Sequence, residues 1–371
     1  MPNDDRCVPA LVVLILLFAA GCATPPIDVE LPSQEPPVVP LQVVASFPEH
    51  QLTGVAVSLQ GRVFVNFPRW GGSHDLSVAE VVAGGAVVPY PNQAWNAWSP
   101  GDDPTRRWVC VQSVWVDAVG TLWVLDPASP RFEGVVPGGA KLVAIDPQDD
   151  EILQVYPFGP EVAPKDSYLN DVRVDTASRT AFITDSNLGA LVVLDLATGE
   201  ARRVFEDQRA LHADPDLVPV IGGRELRGPG GDVPRIHSDG IAFDPGSNRL
   251  YLHALTGRAL WSIPTAPLRD VRLGDAELAA RLERHGETVV TDGMLFHDAE
   301  VLHTALERDA IIAWSPRNPL RTVVRSTLLS WPDSLAVSPD GWLYITTSQI
   351  HLDERFGGGR TQPYRLLRTP L

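Results

Sequence analysis

The sequence predicts an all-β chain folded as a six-bladed β-propeller closed by an N-terminal strand, and three observations carry that expectation. A polar anchor followed by a short strand of alternating apolar residues recurs six times, at Thr53, Gln112, Asn170, Asp239, Asp292 and Asp333. Each copy continues across a turn into a second strand, as in Thr121-Leu-Trp-Val-Leu-Asp126 or Trp342-Leu-Tyr-Ile-Thr346. Successive anchors stand 59, 58, 69, 53 and 41 residues apart. That spacing suits one four-stranded antiparallel sheet per repeat, and so small a sheet cannot bury both faces unless it stacks radially on its neighbours. At 44% hydrophobic and 20% charged, the 371 residues can supply the large core this needs.

Residues 1–21 read as a lipoprotein-type signal peptide. The apolar run 8–20 is too short to span a bilayer as a stable helix. Ala19, Ala20 and Gly21 before Cys22 resemble a bacterial lipobox, which implies lipid attachment at Cys22. Residues 22–40 form a proline-rich tether of extended backbone, and 41–371 the propeller. Loss of Cys7 with the leader and use of Cys22 for lipid leave Cys110 without a partner. It stands in the apolar stretch Trp108-Val-Cys-Val and reads as a buried, inert thiol.

Third strands follow in several copies, at Lys141, Ala190, Ala259 and Tyr364. The last repeat runs out of chain after its third strand, while Leu41-Gln-Val-Val-Ala-Ser-Phe47 precedes the first; pairing the two closes the ring and hides both edges. One helix is expected, roughly Asp275 to His285, with Leu278 and Leu282 on its packed face. Asp207 to His237 reads as a surface loop of the kind that often covers a site.

A net charge of −16 excludes a nucleic-acid binder, which needs a clustered basic surface. The chain has no Gly-x-Ser-x-Gly elbow, P-loop, dinucleotide fingerprint or His-Glu-x-x-His, which disfavours serine-hydrolase, nucleotide, nicotinamide and zinc chemistry. His297 and His303 read as structural or exposed. Asp126 and Asp185, at strand ends, are expected to pin blade turns.

Several stretches resemble the yellow and major royal jelly protein family, including its bacterial members related to dopachrome tautomerase. They are Thr53-Gly-Val-Ala-Val-Ser with Val63 to Trp70, Pro89 to Trp98, Cys110 to Asp117 with Leu122 to Asp126, Leu169 to Asp175, and Ser238 to Phe243. The resemblance implies a secreted six-bladed propeller, in a family whose members include small-molecule binders, proteins tied to pigment chemistry and proteins of nutritional role. Trp70, Trp95 and Trp98 match family positions and are expected to pack loops or blades. The fold is also similar to that of the gluconolactonase and senescence marker proteins, whose anchor positions hold a divalent cation. That likeness implies Asn170, Asp239 and Asp292 as ligands of an ion such as calcium, although Thr53 stands where that family has Glu, and Asp239 where it has Asn.

Inner strands of a propeller enter from one face, so the six anchors should ring one end of the axis. Three carboxylates and two amides there suit a hard cation. They equally suit a polar or aromatic ligand held by hydrogen bonds, with crowding raising one Asp enough for proton transfer. Three functions are therefore expected in competition: a binder, and by proton transfer an isomerase, of a small polar or aromatic molecule; a metal-dependent lactonase; and a non-catalytic envelope interaction protein. In each case the chain is expected as a monomer touching membrane only through its lipid.

Overall fold

The computed structural model describes residues 40–71 and 74–371. The leader, Cys22 and nearly all of the tether lie outside the described residues.

Six four-stranded antiparallel sheets form the blades. The innermost strands of blades 1 to 6 are Val55–Val57, Ser113–Val116, Leu169–Asp175, Ser238–Asp244, Thr291–His297 and Pro332–Val337. Each touches the next, and the sixth touches the first, so the ring is closed. The closing strand is the one expected: Gln42–Phe47 pairs outside Tyr364–Pro370, with Gln42 opposite Arg368 and Phe47 opposite Tyr364.

The core lies between blades. Leu142, Leu169, Ile183 and Leu194 belong to one buried cluster spanning blades 2 and 3, and each such side chain contributes about 1.5–3 kcal/mol by leaving water. Cys110 is fully buried there, and burial pushes its thiol up to about 12, as an inert residue requires. Asp126 and Asp185 pin turns as expected. Asp126 accepts the backbone N–H groups of Val109, Cys110 and Ala128 as well as the Lys141 ammonium at 3.0 Å. Asp185 accepts from Ser167 and Arg203.

Two expectations need correction. The helix beginning at Asp275 ends at Ala279, and Glu283–Glu287 is a strand, the fourth of blade 4, paired with Ala259–Pro264. An unpaired edge on the third strand outweighs the helical preference of the segment. Leu278 and Leu282 still pack into the blade. Within Asp207 to His237 the chain forms a short 3-10 turn at Arg209–Leu211 and a two-stranded hairpin, Val220–Ile221 with Arg224–Glu225. Ile221 and Leu226 join a small core with Leu255, Leu306 and Trp331.

Part-way down the axis, buried Arg173 of blade 3 ion-pairs with Asp171 at 3.0 Å and donates to the Met294 carbonyl of blade 5 at 2.6 Å. Its guanidinium lies 4.2 Å from the ring centroid of Trp115 in blade 2. Blades 3 and 5 are not neighbours, so this side chain crosses the axis and fills the channel below the anchors.

Candidate functional site

The anchors sit in a recurring irregularity. In blades 3 to 6 the pairing of first and second strands shifts register between Leu169 and Val172, Ser238 and Gly240, Thr291 and Met294, and Pro332 and Leu335. Each shift brackets an anchor, and such bulges re-aim a side chain out of the ladder. A second-strand threonine caps three of them. Thr184, Thr304 and Thr346 accept the displaced N–H of Asp171, Asp292 and Ser334. The glycines after two anchors serve close approach rather than a turn: a Cβ on Gly293 would lie 2.1 Å from the Asp333 carbonyl oxygen, and one on Gly240 would lie 2.7 Å from that of Asp292.

Four anchors, Gln112, Asn170, Asp239 and Asp292, form the floor of a cleft of about 210 Å³. Trp70, Phe132, Tyr168, Trp331 and Phe356 wall it, and Arg235 and Arg355 also line it. Asp333 faces a separate void of about 10 Å³ below that floor, room for one water. Thr53 lines neither space. Its hydroxyl donates to the Gln112 carbonyl at 3.1 Å and accepts from Asn66 at 2.8 Å, tying blade 1 to blade 2. Trp95 and Trp98 are buried as expected, whereas Trp70 lines the cleft and does more than pack. His303 is buried and His297 half-buried, both away from this site.

A directed chain of hydrogen bonds runs through the floor. The Trp70 indole donates to the Tyr168 hydroxyl at 2.6 Å, which donates to Gln112 Oε1 at 2.9 Å. Gln112 Nε2 donates to Asn170 Oδ1 at 3.0 Å, and Asn170 Nδ2 to Asp239 Oδ2 at 2.5 Å. From the other side the Trp331 indole donates to Asp292 Oδ2 at 2.7 Å, and Asp239 and Asp292 are hydrogen-bonded to each other. An indole N–H can only donate, so each line of hydrogen bonds starts from a tryptophan and ends on a carboxyl. Both lines of donors end on one carboxyl pair.

Burial, then the neighbouring Asp292 charge and hydrogen bond, hold Asp239 well above the usual carboxylate range. Burial also raises Asp292, but the Trp331 and Asp239 hydrogen bonds restrain it to about 6. Asp333 is raised well above the usual range by burial and by the Asp292 charge, while Ser348 holds it at 2.5 Å. Near neutrality the pair is therefore a carboxylate, Asp292, beside a carboxylic acid, Asp239: a base and an acid in one floor.

A divalent cation does not fit this arrangement. Asn170 turns its nitrogen toward Asp239 and commits its oxygen to Gln112, while one oxygen of Asp292 is taken by Trp331. Among the described residues no group of three or more His, Cys, Asp or Glu side chains is placed to hold a metal ion. The set implied by likeness to the lactonases is present in sequence and bonded internally in structure.

Sequence reasoning missed Tyr168, Trp331, Phe132 and Arg355. Tyr168 and Trp331 carried a readable signal, since each stands two residues before an anchor, Asn170 and Asp333. Phe132 and Arg355 come from loops between strands and carried none.

The fold and site define a six-bladed propeller whose blind channel mouth is acid-floored and aromatic-walled. Residues 109–349 match the family described as major royal jelly protein, and the chain belongs to that family. No curated protein sequence matches it significantly. Among solved structures it is similar to a gluconolactonase from Xanthomonas campestris, with 13% identity and a TM-score of 0.53 over 89% of each chain. It is also similar to a luciferin-regenerating enzyme, with 10% identity and a TM-score of 0.53 over 90% of this chain and 95% of that one. A third is virginiamycin B lyase from Staphylococcus aureus, with 11% identity and a TM-score of 0.50 over 90% and 99%. At such identities the likeness is one of fold alone.

Proposed function

We propose that the protein binds a small polar or aromatic molecule in the cleft at the channel mouth and isomerises it by moving a proton. The single observation that carries this reading is the Asp239–Asp292 carboxyl pair at the floor of an aromatic-walled cleft. A tautomerisation removes a proton from one atom of a substrate and returns one to another. Asp292 as carboxylate takes the first proton, and Asp239 as acid supplies the second. The aromatic walls bind a flat ring by stacking and burial, and expulsion of water strengthens the floor's hydrogen bonds.

The test is isothermal titration with catechols and indoles, followed by proton NMR of any bound compound in D2O. Exchange of a substrate proton for deuterium is expected with the wild-type protein and lost in Asp239→Asn and Asp292→Asn, both of which still bind. Absence of binding at millimolar concentration sinks the proposal; binding with equal exchange in all three proteins sinks the catalytic half.

We also propose export, with lipid attachment at Cys22, on the strength of the apolar run 8–20 and the small residues before that cysteine. Fatty-acid labelling of the expressed chain that persists in Cys22→Ser refutes it.

A further inference from the structure

The rim of the cleft opposes its floor in charge. Arg355 projects from the turn Glu354–Phe356, with its guanidinium carbon 5.3 Å from the Trp70 ring centroid and 4.7 Å from that of Phe132. Asp353 holds it through Nε and Nη2, both at 3.1 Å, and no hydrogen bond engages Nη1 among the described residues. Arg235 lines the same cleft from the Asp207–His237 segment. Its two Nη atoms donate to the carbonyls of Asp214, Pro215 and Leu217, and no carboxylate pairs with it among the described residues. In a chain of net charge −16, two arginines meet at one cleft, one of them without an acidic partner. Carbonyls orient a guanidinium without neutralising it, so Arg235 keeps its full attraction for an anion. Arg355, its side chain 36% exposed, adds unengaged donors on a guanidinium laid against aromatic rings, a planar fork suited to a carboxylate.

We propose that Arg355, with Arg235, is the specificity-determining element of this cleft and selects ring compounds that carry a carboxylate at the outer end. This rests on the binding site proposed above and names its substrate class. The ring lies between the aromatic walls, its inner N–H or O–H reaches the acid floor, and its carboxylate meets the arginine rim.

Three probes share one phenol ring and differ in the group at its outer end, an anion, a neutral alkyl and a cation: 4-hydroxyphenylacetate, 4-ethylphenol and tyramine. Isothermal titration should show the acid binding at least tenfold more tightly than the amine, with the phenol between them. Arg355→Gln should weaken the acid roughly tenfold to a hundredfold, the loss expected for one charge-assisted hydrogen bond of about 1.5–3 kcal/mol, and the phenol less than threefold. Arg355→Lys should restore part of the loss. Should Arg355→Gln fail to fold, Asp353→Asn tests the same point by releasing Arg355, and acid binding should tighten.

An amine bound as tightly as the acid, or an acid-to-phenol ratio unmoved by both Arg355→Gln and Asp353→Asn, overturns the inference while leaving the proposed function standing. No binding of any of the three overturns both.

Discussion

Replacing Asp292 by Asn should make the protein more stable at pH 8 than the wild type, by an amount that disappears in acid. Asn is nearly isosteric. Its Oδ1 has two lone pairs, one for the Trp331 indole and one for the Asp239 proton, so the floor keeps its bonds. What changes is titration. The folded chain holds the Asp292 proton up to about 6, whereas the unfolded chain releases it near the ordinary value of about 3.9. Between those limits the folded state binds more protons than the unfolded state, so stability falls as pH rises. The contribution is fully present below about pH 4 and gone above about pH 6. A difference of roughly two pKa units at 1.36 kcal/mol each makes the charged Asp292 cost the fold about 3 kcal/mol at pH 8.

The amide of the variant carries no such cost, and removing the Asp292 charge also relieves Asp239, whose elevation comes partly from it. Both effects have the same sign, so about 3 kcal/mol is the smaller end of the expectation. Urea unfolding at pH 4, 6 and 8 measures it as the difference between variant and wild-type midpoints multiplied by the slope. A difference that stays flat from pH 4 to pH 8 would mean that Asp292 titrates normally, and the buried acid–base pair would be refuted.

Gly293→Ala drives a methyl to within 2.1 Å of the Asp333 carbonyl, backbone against backbone between blades 5 and 6. Neither side can yield cheaply, and a loss of about 3 kcal/mol or more is expected in the same urea assay. Lys141→Met strips the ammonium from Asp126, which is 0% exposed. The stranded carboxylate should cost about 3–5 kcal/mol at pH 7 in the same urea assay.

The ring was legible because its cause is local. Inner strands alternate apolar residues with period two, as in Val172-Arg-Val174, and that pattern survives any tertiary context. The closing strand 42–47 was legible by subtraction, since one blade lacked an outer strand and one strand lacked a blade. Glu283–Glu287 was not legible, because Glu-Arg-His-Gly-Glu has no apolar alternation and becomes a strand only by satisfying the exposed edge of Ala259–Pro264.

Asp239-Gly240 and Asp292-Gly293 are pairs of a kind common in turns. They suggest turns, but the glycines at 240 and 293 are needed because the next blade's backbone passes within a methyl's reach. The site's walls were the least legible part. Trp70, Phe132 and Arg355 are brought together from loops of different blades, and nothing in the local sequence reports that convergence.

Six topologically equivalent positions do not by themselves make a reactive site. The chemistry comes from how this chain breaks the equivalence. Blades 1 to 3 present Thr53, Gln112 and Asn170, and blades 4 to 6 present Asp239, Asp292 and Asp333, so the ring has a donor half and an acid half. Six buried carboxylates would repel one another beyond what any fold of ordinary stability tolerates, and six amides would hold no titratable proton. The divided ring passes N–H donors across Asn170 into Asp239, while Trp331 and Asp239 together restrain Asp292. Burial and the charges of the acid half raise Asp239, the Trp331 and Asp239 hydrogen bonds hold Asp292 lower, and that inequality separates two chemically identical side chains into an acid and a base.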